Sequence, residues 1–101
     1  LHQAGLFMKE LSAQHPGARG LTGKALRQAA RELLLGQASD WAFMIHKGTM
    51  TKYAEQRTKT HLLRFLRLRK EIESGTIDRL RLSAVEDQDN LFPKLDYRSF
   101  S

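Results

Sequence analysis

Cysteine is absent from the 101 residues. That excludes disulfides, thiolate metal sites and cysteine nucleophiles, and it fits a reducing, cytoplasmic setting. Proline occurs only at Pro16 and Pro93, each where a helix is expected to have ended. No apolar run approaches the ~18 residues of a membrane span. The best stretches, Leu33–Leu35 and Ala42–Ile45, are separated by Gly36, Gln37 and Asp40, so no membrane partner is expected. Leu1-His2-Gln3 does not open a charged start followed by an apolar core, so no secretory signal is read. The chain does not start with Met, and it reads as a single domain over 1–101 cut from a longer polypeptide. Strand signals are nearly missing.

Helix signals are what remain. Leu6, Phe7 and Leu11 recur at helical spacing over Gln3–Gln14, and His15-Pro16-Gly17-Ala18-Arg19-Gly20 then breaks the pattern. Thr22 is a good N-cap for a second helix. Its stripe is Ala25, Leu26, Ala29, Ala30, Leu33 and Leu34, and Gly36 weakens its end. Ser39 is expected to cap a further short piece through Ile45. Thr49 then caps the longest helix, Met50 to Ser74, closed by Gly75. On that helix Ala54, His61, Phe65, Leu68 and Ile72 share one stripe. Leu63 and Leu66 fall among lysines, which predicts a second buried contact. Ile77–Gln88 reads as a short helix and Asp89–Phe100 as an extended arm around Pro93. The expectation is an all-α bundle of three main helices plus short helical pieces and an irregular C-terminal arm.

The chemistry-bearing patterns mostly fail their tests. Gly17-Ala-Arg-Gly-Leu-Thr-Gly23-Lys24-Ala25 has the wrong glycine spacing and no Ser or Thr after the lysine for a phosphate loop. His2, His15, His46 and His61 show no metal-ligand spacing, so no metal is expected and no cofactor is implied. On an apolar stripe, His61 reads as a hydrogen-bonded core histidine. Glu71/Glu73 and Asp87/Asp89 are two apart and read as solvated charge, not an acid–base couple. An enzyme complete in itself is therefore not expected. The net charge of +6 raises nucleic acid as a partner. The cations of the long helix, however, are spread around it: Arg57 and Arg64 on one flank, Lys52, Lys59 and Lys70 opposite. A recognition helix concentrates them on one face, so a small basic nucleic-acid-binding domain is the alternative and not the preferred reading.

Asp40-Trp41 is left, carrying the single tryptophan. It could plug the core at a helix end, or it could form a lip of a site. In the second case the indole faces the apolar side of a sugar ring and the carboxylate accepts from sugar hydroxyls, with Arg57 and His61 supporting it. Taken alone, these residues favour the core.

Three blocks in order, "RQAARELLLGQASDWAFMI" (Arg27–Ile45), "YAEQRTKTHLLRF" (Tyr53–Phe65) and "DNLFPKLDYRSF" (Asp89–Phe100), resemble the C-terminal helical region of glycoside hydrolase family 57 1,4-α-glucan branching enzymes. Ala42 departs from the proline common after the tryptophan in that family. The resemblance implies a bacterial enzyme of glycogen biosynthesis. Such an enzyme breaks an α-1,4 bond through a covalent glycosyl-enzyme and passes the chain to an acceptor 6-hydroxyl, making an α-1,6 branch. It also implies that the catalytic carboxylates lie on an N-terminal barrel that this chain lacks. Trp41, Asp40, Gln37 and Ser39 would then line the rim of the α-glucan cleft. Asn90, Phe92, Asp96 and Tyr97 would dock the domain on the barrel of the same polypeptide. A third possibility is a purely bracing domain with Trp41 in its core.

Overall fold

A computed structural model describes residues 2–45 and 49–89, without the side chains of 2, 40–45, 49–51, 53 and 54. Four helices follow in order: α1 (His2–Gln14), α2 (Gly20–Ile45), α3 (Thr49–Ser74) and α4 (Arg79–Gln88). No strand occurs among the described residues, as the all-α expectation requires. The predicted C-terminal arm lies outside them.

The two 26-residue helices α2 and α3 form the frame. They share the largest interface among the described helices. Joined across only residues 46–48, they must run back to back as an antiparallel pair. α2 is rich in small side chains, and Ala25, Ala29 and Ala30 are fully buried alongside Leu26 and Leu33. That permits a close approach of α3, whose His61, Phe65, Leu68 and Ile72 form the facing stripe. The predicted inward faces of both long helices are therefore present, except that Leu34 is only half-buried and the Ala54 side chain lies outside the described residues.

Four local expectations need correction. α2 does not stop near Gly36 and restart at Ser39; it runs unbroken to Ile45. Gly36 is buried, and the ~1 kcal/mol propensity cost of one glycine is smaller than the gain from packing the helix around it. α2 begins at Gly20, two residues before the expected cap, because Gly20 adopts φ +63°, a left-handed turn open to glycine. On α1 the inward stripe is Ala4, Met8 and Leu11, and Leu6 is half exposed. Leu6 lies about 200° from Ala4 at 100° per residue. α4 starts at Arg79 and not at Ile77, because Asp78 caps it, its carboxylate accepting from the Arg81 N–H at 3.1 Å.

The C-terminal end of α3 behaves as read, while the Thr49 side chain lies outside the described residues. It closes at Gly75, φ +73°, with Thr76 N–H donating to Glu71 O at 3.1 Å and Gly75 N–H to Ile72 O at 3.3 Å. That is the paired closure in which glycine relieves the Cβ clash. Leu66 packs against the core, whereas Leu63 is 66% exposed. α1 is fastened across α3 by Arg69, whose guanidinium sits 3.6 Å from the Phe7 ring centroid and whose Nε is 2.7 Å from Glu73.

Three substitutions test this packing by chemical denaturation. Phe65→Ala removes a fully buried ring and should cost about 3–5 kcal/mol. Gly23→Ala should destabilise by about 1–3 kcal/mol, since a Cβ there meets the Ala18 carbonyl oxygen at 2.9 Å. Gly5→Ala, in the middle of α1 with nothing within 4 Å of the new carbon, should stabilise by about 0.5–1 kcal/mol.

Candidate functional site

Two features bear on function, and only one has described side chains throughout. The first is the rim predicted at the end of α2. Gln37 is exposed and Ser39 half-buried there. Asp40 and Trp41 continue the helical backbone, and their side chains lie outside the described residues. Arg57 is exposed on α3. Asn90, Phe92, Asp96 and Tyr97 lie outside the described residues altogether.

The second is a buried polar cluster where α2, α3 and the end of α4 meet. His61, Glu32 and Gln28 have no exposed surface, and Asp89 retains 7%. His61 Nδ1 is 2.9 Å from Glu32 Oε1 and 3.6 Å from Asp89 Oδ2. Facing two acidic oxygens, that nitrogen carries the imidazole proton, which leaves Nε2 as a bare lone pair. Nε2 is buried and has no partner; an orphaned acceptor costs less than the orphaned N–H the other tautomer would leave. Gln28 Nε2 donates to Glu32 Oε2 at 2.8 Å and to the main-chain oxygens of Asp89 and Val85 at 3.2 and 3.4 Å. Its Oε1 accepts from Arg31 Nη1 at 2.8 Å. Arg64 Nη1 donates to Asp89 Oδ2 at 2.5 Å, and its Nη2 donates to Gln88 Oε1 at 3.0 Å.

Two carboxyl groups share this pocket with one guanidinium in contact, so one of them must keep its proton. Burial, reinforced by the hydrogen bond it gives Asp89, pushes Glu32 up to about 9. Glu32 is therefore the neutral acid that donates, and Asp89 the carboxylate that accepts. Burial alone would raise Asp89. The hydrogen bonds from Glu32 and Arg64 and the charge of Arg64 outweigh it and hold Asp89 below the usual carboxylate range. Burial likewise holds His61 below the usual histidine range, Asp89 opposing and Arg57 and Arg64 adding to the effect.

One oxygen or nitrogen from each of Glu32, His61 and Asp89 falls within a 4.8 Å span, a spacing that could hold an ion. The arrangement does not fit one. The Asp89 oxygen nearest His61 is already on Arg64, and Glu32 spends its proton and both oxygens on neighbours. The guanidinium stands where a metal's charge would. With Glu32 and His61 fully buried and Asp89 nearly so, the cluster reads as a structural network and not as an acid–base couple.

His61 is thus the hydrogen-bonded core histidine expected from its place on the stripe. Asp89 is a correction: read as solvated charge, it is buried, because α4 delivers it to Arg64 and Glu32. Glu32 and Gln28 were missed. The available signal was a matched pair of flaws, since Glu32 interrupts the apolar face of α2 as His61 interrupts that of α3. Of the cations on α3, Arg64 and Arg69 are committed to internal partners. That thins the basic surface a nucleic acid would need.

Comparison with known proteins adds the following. Residues 1–100 match the family described as 1,4-alpha-glucan branching enzyme, C-terminal. The chain is 36% identical over 89 residues to a 1,4-alpha-glucan branching enzyme of Thermococcus kodakarensis, covering 84% of this chain and 13% of that protein. It superposes on the crystal structure of the alpha-amylase AmyC from Thermotoga maritima with a TM-score of 0.87 and 38% identity, over 98% of this chain and 19% of that one. The chain thus spans less than a fifth of the length of either.

Arg64→Met should cost about 1–3 kcal/mol at neutral pH, between the limits for exposed and buried pairs. Asp89 has a lowered value in the fold, so its contribution is present above the ordinary 3.8 and lost as pH falls through the folded value. The penalty for Arg64→Met should therefore shrink towards pH 3, which urea denaturation at pH 7 and pH 3 would read.

Proposed function

The chain belongs to the 1,4-alpha-glucan branching enzyme, C-terminal, family, and from that premise we propose that it serves a longer glycoside hydrolase family 57 enzyme as a non-catalytic, glucan-contacting domain. In this reading Trp41 offers its indole face to a sugar ring and Asp40 accepts from sugar hydroxyls. Gln37 and Ser39 extend the rim by the next turn of α2, and Arg57 supports it from α3. Asn90, Phe92, Asp96 and Tyr97 dock the domain on the catalytic barrel of the same polypeptide. The reaction is glycosyl transfer that builds α-1,6 branches in a glycogen-like glucan, in a bacterial cytoplasm.

The observation that carries this reading is the family match over residues 1–100. Two physical observations agree with it. Retaining transfer needs a pair of carboxyl groups open to substrate on either side of the scissile bond. The carboxyl pair here, Glu32 and Asp89, is buried, hydrogen-bonded to itself and charge-balanced by Arg64, so the reacting carboxylates are assigned to the rest of the polypeptide. Among the described residues no helix is long and apolar enough to cross a membrane. The structural neighbour is an alpha-amylase, which favours a second outcome, glucan cleavage with water as acceptor. That choice belongs to the catalytic part and leaves the role of this domain unchanged.

Maltoheptaose added to the chain should perturb Trp41 fluorescence. In the longer enzyme, Trp41→Ala should lower kcat/KM for branching about tenfold or more, a loss of about 1.4 kcal/mol, with the fold intact by circular dichroism. Unchanged activity would reject the rim and return Trp41 to the core.

A further inference from the structure

α4 is the least secured of the four helices. Its ten residues bury a single side chain, Leu82, while Leu80 is 86% exposed. A helix this short is marginal by itself, so its seat depends on what holds its ends. At the start it has the Asp78 cap, a local bond, and an exposed bond from the Asp78 N–H to Glu71 Oε1 of α3 at 3.1 Å, with Ile77 packed against the core just before it. At the other end the contacts converge on three residues, Val85, Gln88 and Asp89. Arg64 grips Asp89 and Gln88, and Gln28 donates to the main-chain oxygens of Val85 and Asp89. Buried Glu32 places a carboxyl oxygen within 4.8 Å of one of Asp89, and of two carboxyls so close the protonated one, Glu32, donates to the other.

We propose that α4 is a latch closed by one proton: the hydrogen bond from the Glu32 carboxyl to the Asp89 carboxylate seats the C-terminal end of α4 on α2 and α3, and loss of that proton releases the helix. The step breaks one O–H bond, with the proton passing to solvent base. It converts a donor–acceptor pair into two carboxylates in one buried pocket. The neighbours cannot absorb the new charge. From α3, Arg64 is already spent on Asp89 and Gln88 and His61 is neutral, with Arg57 acting on His61 from the exposed side. From α2, Arg31 is directed to Gln28 and lies near Arg27. From α4, Glu86 adds a further negative charge acting on Arg31. On α1, Lys9 and Glu10 are exposed. The least costly response is to move Asp89 out to water, and α4 is the element it is attached to.

Release has a defined consequence. α4 forms one wall of a groove of about 390 Å³ whose other wall is α3, with Leu63, Leu68, Leu82 and Val85 on its apolar lining. Undocking removes that wall and bares Leu68. It also frees the residue from which the Asn90–Phe100 block departs. This inference does not depend on the glucan reading.

The sign follows from where Glu32 titrates, ordinarily 4.5 and about 9 in the closed state. Closure is favoured in full below the ordinary value and is lost progressively as pH rises through the closed-state value. Hydrogen exchange on the intact chain reads this as an opening constant for each amide, once the intrinsic base-catalysed rate is divided out. Between pH 6 and 9 the amides of Leu82, Val85 and Asp89 should open at least tenfold more often, while Phe65 and Leu68 stay unchanged. Glu32→Gln keeps an N–H donor that cannot ionise and should give a flat profile. Asp89→Asn removes the second carboxylate and should make the profile shallower, burial of Glu32 alone leaving part of the slope. The latch is overturned if the unaltered chain shows no rise, if α3 loses protection in step with α4, or if Glu32→Gln keeps the slope.

Discussion

One proton organises this domain. Glu32 keeps it and through it donates a hydrogen bond to the Asp89 carboxylate, Arg64 balances that carboxylate, and His61 and Gln28 donate to the two Glu32 oxygens. These five side chains come from α2, α3 and the residue that ends α4, so three elements are joined at one point. An apolar core alone would leave α4, with one buried leucine, almost unattached. The cluster replaces missing apolar area with hydrogen bonds that are made in full only when all three elements are in place. Such a network is stiff because any partial version leaves a buried polar group unpaired, at about 1–3 kcal/mol each.

That stiffness lies close to the proposed rim. Glu32 and Trp41 are nine residues apart on the unbroken α2, about 13 Å at 1.5 Å per residue. Arg57 stands one turn from His61 on α3 in the same direction. A binding lip needs side chains held on rigid elements and not on a free loop. A continuous helix anchored by a buried network two and a half turns away meets that need better than the separate short piece capped by Ser39 that the local pattern suggested. The correction at Gly36 therefore strengthens the functional reading: the block that carries Asp40 and Trp41 belongs to the frame itself.

What was legible in the chain follows from how local each signal is. The stripe His61, Phe65, Leu68, Ile72 and the closure at Gly75 are set by neighbours within one or two turns, and both are present. Leu6 was misjudged because a short helix offers few apolar positions from which to choose a face, and Ala4 and Met8 took the inward side. The cluster was nearly illegible. His61 stood out on its stripe, but Glu32 lies 29 residues away from it and Asp89 a further 28, and neither spacing carries a local signature. Asp89 looked like surface charge because nothing near it in sequence predicts a guanidinium from α3. The proposed rim rests only on the Gln37–Trp41 block and its family resemblance. No periodicity distinguishes a tryptophan that faces a sugar from one that fills a core.

The composition of α2 explains why a polar cluster stands where leucines could have. Ala25, Ala29, Ala30 and Gly36 let α3 approach closely, but small side chains make shallow ridges, and shallow ridges fit at more than one register. Sliding α3 by one turn along such a surface would change apolar burial little. It would, however, carry His61 away from Glu32 and Arg64 away from Asp89, leaving a carboxylate buried without its cation. Breaking that partly buried pair costs about 1–3 kcal/mol, and the His61–Glu32 bond is lost with it, which disfavours the slipped arrangement. The alanines set how near the two long helices come and the charges set where along their length they stop. Together they determine which residues of α2 and α3 meet at the end that carries Trp41 and Arg57.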